Sequence, residues 1–236
     1  MKKLMLAVTL SALSSVAIAD GAFYAGGNLG QSRISMPNYT DTVIRQFGAN
    51  PATVDRSLLT FNASEDKSHL NYKFYGGYRY SENLAVELGF VNLGKFKSNF
   101  SADYDGVNGP AGRGSAESKS YGVFVDALGI LPVADNVDLF GRAGMVLART
   151  KVTGSGFSCD DALLSTCTAS TADDTFRESA SKTRVLPKVG LGADLGVTDN
   201  VSVRFEYERY FNVGGSKSIM FKEDINSFSV GVISRF

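Results

Sequence analysis

Val201-Ser202-Val203-Arg204-Phe205-Glu206-Tyr207-Glu208 alternates apolar with polar or charged residues and never slips. Successive side chains of a β-strand point to opposite faces, so this segment carries one apolar and one polar face. Outward from it, aromatic and β-branched residues keep the same period between Gly, Asn and Asp breakers, and helical periodicity is almost absent. The pattern predicts eight strands, near 22–33, 69–80, 84–97, 119–131, 137–152, 182–197, 201–212 and 221–236. Three connections are tight: Ser81-Glu82-Asn83, Pro132 to Asn136, and Thr198-Asp199-Asn200. The alternate connections, around 34–68, 98–118, 153–181 and 213–220, are long and polar. Short turns at one end and long loops at the other are the habit of barrels in the bacterial outer membrane. The expected fold class is therefore all-β, an eight-stranded antiparallel transmembrane up-and-down β-barrel with both termini at the periplasmic end.

Charge decides which face meets lipid. An Arg or Lys on the lipid face costs about 2–4 kcal/mol at the midplane, so the correct parity is the one that hides charge. By that rule Val201, Val203, Phe205 and Tyr207 face out, as do Tyr72, Phe74, Tyr78, Tyr80, Leu84, Val86, Leu88 and Phe90. Tyr121, Val123 and Val125 join them if Asp126 is lumenal. The inward set is Glu87, Asp126, Asp194, Glu206 and Glu208, facing Lys73, Arg79, Arg142, Lys188, Arg204 and Arg235. Side chains fill an eight-strand barrel, so these groups are expected to pair across the lumen as a charge network. A soluble carrier barrel would show the reverse polarity. Trp is absent, which leaves Tyr and Phe to build the interfacial girdles, with Phe23, Tyr78, Tyr80 and Phe236 as candidates at the periplasmic edge.

The N-terminus reads as a secretory signal: Lys2 and Lys3 precede an apolar stretch from Leu4 to about Ile18, and Ala17-Ile18-Ala19 is a small-residue cleavage site. A signal peptide of residues 1–19, cleaved after Ala19, would leave one outer-membrane barrel domain of residues 20–236 in a Gram-negative cell. The apolar stretch is shorter than the roughly 20 residues that span a bilayer as a helix. Export to an oxidising compartment makes Cys159 and Cys167, close together in a polar segment, an expected loop disulfide. The 24 Lys+Arg balance the 24 Asp+Glu, which argues against a nucleic-acid partner. No cofactor or metal is implied.

Several stretches resemble a family, the membrane domain of outer-membrane protein A and its relatives. Phe23-Tyr24-Ala25-Gly26-Gly27-Asn28-Leu29-Gly30 is similar to its first strand, and Gly76-Gly77-Tyr78-Arg79 through Glu87-Leu88-Gly89-Phe90 to its second hairpin half. Asp194-Leu195-Gly196-Val197-Thr198-Asp199-Asn200 leading into Arg204-Phe205-Glu206-Tyr207 resembles its sixth strand, turn and seventh strand. The likeness covers most of the barrel strands and fails in the loops. It implies a lumenal network of carboxylates and arginine in which Glu87, Asp194 and Arg204 hold matching positions. The family's fourth-strand lysine has no counterpart, since Asp126 or Ala127 stands there. The family's periplasmic wall-binding domain is not expected in a chain ending at Phe236.

These features predict a non-enzymatic protein of the cell outer membrane, acting in adhesion or envelope integrity. Expected partners are outer-membrane lipid and lipopolysaccharide, the barrel-assembly machinery through the C-terminal strand ending at Phe236, and host or surface ligands through loops 34–68 and 153–181. The 98–118 loop, with Gly106, Gly109, Pro110, Gly112 and Gly114, is expected to be mobile. A narrow pore for ions or small solutes is the alternative reading. A lipid-modifying enzyme or protease is the remote one, since the single His69, beside Ser68 and Asp66, would have to be its general base. Ser68 and His69 are adjacent on a strand, point to opposite faces, and so form no obvious nucleophile and base pair.

Overall fold

A computed structural model describes residues 22–35, 59–66, 68–104, 111–159, 167–216 and 219–236. The expected signal segment and most of the first long connection lie outside those residues. The strands are β1 (Ala22–Ser35), β2 (Leu59–Asp66), β3 (Ser68–Ser81), β4 (Leu84–Tyr104), β5 (Ala111–Ala134), β6 (Val137–Cys159), β7 (Asp174–Gly196), β8 (Val201–Ser216) and β9 (Ile219–Arg235). Eight of them form a closed antiparallel ring in the order β1-β3-β4-β5-β6-β7-β8-β9, with β9 returning to β1 through pairs from Tyr24↔Arg235 to Ser35↔Asp224. The Phe236 N–H donates to the Phe23 carbonyl at 2.9 Å and finishes the seam. The ninth strand, β2, continues the line of β3 and pairs with the upper part of β4, from Asp66↔Lys97 to Leu59↔Tyr104. Closure leaves no unpaired edge in the hydrocarbon, which is what lets a sheet cross a membrane.

Polarity is inverted relative to a soluble protein. Leu88, Leu191, Phe74, Phe228 and Val123 are exposed on the outside, whereas Glu87, Lys188, Glu208 and Arg204 are buried within. Phe23 and Tyr78 stack at the periplasmic rim with ring centroids 4.8 Å apart.

The strands run further than the alternation predicts. β4 and β5 pair to Asp103↔Ala111, and β6 and β7 to Ser158↔Asp174, so most of the connections expected at 98–118 and 153–181 are strand. Gly112 and Gly114, expected in a mobile loop, lie in β5, paired with Ala102 and Phe100. Beyond the membrane both sheet faces meet water, the apolar face is no longer required, and the period-two signal fades while the backbone ladder continues. One break interrupts the ladder. Between Asn92 and Lys95 the β4–β5 register shifts, and Gly94 there has φ of 93°. This is a β-bulge, the extra residue that re-aims every side chain after it.

Candidate functional site

The candidate site is the lumen, lined from alternate positions of all eight ring strands, six of which supply its charges. Four cations, Lys73 on β3, Arg142 on β6, Lys188 on β7 and Arg204 on β8, meet five carboxylates, Glu87, Asp126, Asp194, Glu206 and Glu208, all of them buried. Arg204 reaches both oxygens of Asp194 at 2.7 and 2.8 Å, and Glu87 at 2.5 Å. Arg142 lies 3.0 Å from Glu87 and 3.0 Å from Asp126, and also contacts Glu206. Lys188 bridges Asp126 and Glu208 at 2.7 Å each, and Lys73 bridges Glu206 and Glu208 at 2.5 and 3.1 Å. Each cation therefore touches at least two carboxylates, which offsets the desolvation that a lone buried charge would suffer.

Neutral donors complete the shell. Tyr24 donates to Glu87 at 2.9 Å, Asn28 to Glu206 at 2.7 Å and Tyr210 to Glu208 at 2.9 Å. Lys188 sits 4.1 Å from the centre of the Phe124 ring and Arg204 4.5 Å from that of Phe140, so ring faces supply further negative potential. Sequence reasoning aimed at charge and missed these tyrosines, Asn28 and the two phenylalanines. The available signal was parity, since Tyr75 shares the face of Lys73 and Phe124 that of Asp126. Arg79 and Arg235 stand apart from the central group, at the periplasmic mouth: Arg79 pairs with Asp138 at 2.8 Å and Arg235 donates to Ser202 at 2.6 Å.

Apolar side chains flank the charges on both sides, interleaved towards the loops with the hydrogen-bonded Asn71, Ser32 and Ser227, while towards the turns Asp194 also lines the pocket at the periplasmic mouth. Towards the loops along the same strands lie Val91, Leu93, Val146, Ala148, Leu186 and Ile225, and towards the turns Ala85, Leu128, Phe140 and Ile233, all buried. On the fourth strand of the ring, Asp126 takes its counter-charge from Lys188, two strands away.

In the extracellular extension Cys159 and Cys167 form a disulfide with Cα atoms 5.9 Å apart. It packs with Ala111 at the tip of β5 and holds residues 167–173 against β6, where the Asp173 N–H donates to the Ser158 carbonyl at 3.0 Å. His69 lies edge-on to Phe96, with ring centroids 5.6 Å apart.

The chain matches the family model for the OmpA-like transmembrane domain over residues 18–236. It is 29% identical to outer membrane protein A of Yersinia pseudotuberculosis over all of this chain and 56% of that protein. It is 24% identical to outer membrane protein P5 of Haemophilus influenzae over 91% of this chain and 53% of that one. The chain thus spans about half the length of these curated relatives. Among solved structures, the attachment invasion locus protein Ail of Yersinia pestis aligns over 92% of this chain and 99% of its own at 16% identity, with a TM-score of 0.46.

Proposed function

Because this chain belongs to the family of OmpA-like transmembrane domains and is an outer-membrane β-barrel, we propose that it is a sealed anchor that displays its extracellular strands and loops, without catalysis and without a conducting pore. The observation that carries the reading is the filled lumen, four cations among five carboxylates flanked by buried apolar side chains. An ion crossing it would have to displace buried pairs drawn from six of the eight ring strands, which costs several kcal/mol per uncompensated charge. The long extensions of β4 to β7, stapled by Cys159–Cys167, are what remains for contact with other cells, a host or envelope components, in adhesion or envelope integrity.

Three further assignments belong to this reading. Residues 1–19 act as a signal peptide removed after Ala19, with residues 20–236 as the barrel domain. β9, which pairs with both β1 and β8, is the strand that the barrel-assembly machinery engages through its apolar outward positions up to Phe236. Its outer face contacts membrane lipid and lipopolysaccharide. His69 does no general-base chemistry, and its contact with Phe96 is one of packing.

The test is single-channel recording in a planar bilayer, on protein whose gel mobility shifts on heating as a folded barrel's does. A silent bilayer is the expected result. Unitary current steps from heat-shifting protein would replace the anchor reading with the narrow pore.

A further inference from the structure

Above the membrane belt, the outward face of β4 to β6 carries an unusual concentration of positive charge. Lys95, Lys119 and Lys151 occupy one cross-strand row, since Lys95 pairs with Lys119 and Lys119 with Lys151. Directly below, Arg149 stands opposite Tyr121, and directly above, Lys97 stands opposite Glu117. All five cations share the lipid-facing parity. Lys119 is two residues from the exposed Tyr121, and Lys151 is four from the exposed Leu147. On β4 the bulge at Gly94 brings them there: below it Leu88 and Phe90 face out, above it Lys95 and Lys97 do, and Phe96 turns inward and is buried. An unbroken β4 would have put Phe96 outside and both lysines inside.

Like charges directly opposite one another on neighbouring strands are destabilising. Glu117 compensates two of them, lying 2.6 Å from Lys95 and 3.1 Å from Lys119. No carboxylate among the described residues is within ion-pair distance of Arg149 or Lys151. Asp66 is opposite Lys97 in the ladder. Across the barrel, among the described side chains of β8 and β9, Arg209 meets Asp224 at 2.7 Å, one cation to one carboxylate.

Height is the second observation. Tyr72, Phe90 and Tyr121 form a run of neighbouring rings, with centroids 6.3 Å apart at each step, at the upper limit of the apolar belt. Aromatic residues mark the membrane–water interface. The lysine row stands one residue pair beyond Tyr121, about 7 Å along the strand. That is headgroup level.

We infer that Lys95, Lys119, Arg149 and Lys151 form a binding site for the phosphate groups of an outer-leaflet glycolipid, whose acyl chains lie against Tyr121, Val123 and Leu147 below. The chemistry fits on both counts, since ammonium and guanidinium groups bind phosphate oxygens by charge-assisted hydrogen bonds and the apolar belt continues directly beneath them. This site deepens the reading of the barrel as an outer-membrane anchor and rests on it. The anion supplied by the lipid offsets a repulsion that the protein leaves in place.

The experiment titrates the folded chain in detergent with fluorescent lipopolysaccharide, either phosphorylated or enzymatically dephosphorylated. The triple variant Lys119→Gln, Arg149→Gln, Lys151→Gln should bind the phosphorylated lipid roughly 100-fold more weakly at low salt, from about a kcal/mol per cation. Dephosphorylated lipid should bind wild-type protein as weakly as that. Lys119→Arg with Lys151→Arg should retain affinity, and Arg209→Gln on the opposite face should leave it unchanged. Equal binding by the triple variant, or equal binding of the dephosphorylated lipid, overturns the proposal. So does release of the bound lipid by millimolar inorganic phosphate, which would mark a site for soluble anions. Heat-shifted gel mobility is read on the same samples, so loss of the barrel is distinguished from loss of the cations.

Discussion

Arg142 shows what one residue contributes to the seal. It touches Glu87, Asp126 and Glu206 and is buried, so Arg142→Ala takes one cation from each of three buried carboxylates and leaves Glu87 to Arg204, Asp126 to Lys188 and Glu206 to Lys73. Breaking a buried ion pair from one side costs about 3–5 kcal/mol, and the variant should unfold at correspondingly lower denaturant, followed by loss of the heat-shifted band. Outside the membrane the balance is different. The Lys95 ammonium, hydrogen-bonded to Glu117, holds that carboxyl below the usual glutamate range, with Lys119 adding to the effect. A carboxyl depressed on folding stabilises the fold above its unfolded value, and the contribution disappears as pH falls through the lowered folded value. NMR titration of Glu117 should therefore show a depressed midpoint that moves back up in Lys95→Ala. An unmoved midpoint would mean that Lys95 is not the cause. The charged members of the lumen are legible in sequence because each sits on the face opposite an unbroken apolar run, as Arg204 does between Val203 and Phe205. Tyr24 and Tyr210 are not, since a tyrosine in such a strand suits a girdle as well as a hydrogen bond to a buried carboxylate.

At the level of elements, the bulge in β4 is decisive. Gly94 has φ of 93°, and an added Cβ would come within 2.9 Å of the His69 Cβ and 3.0 Å of the Leu70 carbonyl oxygen. Gly94→Val should destabilise the barrel by about 1–3 kcal/mol, the usual cost of forcing a side chain into that backbone region. Circular dichroism during denaturation measures it, and an unchanged midpoint would show that the bulge is not required. Gly94 is one of two glycines within 84–97 and gives no sign in sequence that register shifts there, so the alternation reads straight through it. The strand ends were illegible for a related reason: with water on both faces, residues such as Ser115 and Ser155 satisfy the ladder without any apolar partner. The disulfide belongs to this scale too. It closes a short loop at the tip of β6, remote from the lumen, so Cys159→Ser with Cys167→Ser should speed proteolysis within 160–173. The heat-shifted band should keep its denaturation midpoint. A large drop in that midpoint would instead make the extension part of one cooperative unit with the barrel.

For the whole molecule, the question is what it takes to open a passage. The closed ring fixes eight strands around an interior that side chains fill, and here the filling is stratified. Val91, Leu93, Val146, Leu186 and Ile225 lie on the loop side of the charges, and Ala85, Leu128, Phe140 and Ile233 on the turn side. A permeating ion that displaced the charges would still face these buried apolar side chains, and an apolar constriction gates by excluding water. Removing one member of the charge layer should therefore leave the barrel silent. Arg142→Ala, kept folded in lipid, should show no unitary current at either polarity, despite the imbalance it creates among Glu87, Asp126 and Glu206. Adding Leu93→Ser and Leu128→Ser to it should be needed before current steps appear, because only then is a polar substitution present in every layer. Steps in Arg142→Ala alone would show that the apolar layers do not seal, and that the charge network is the only barrier between the two sides of the membrane.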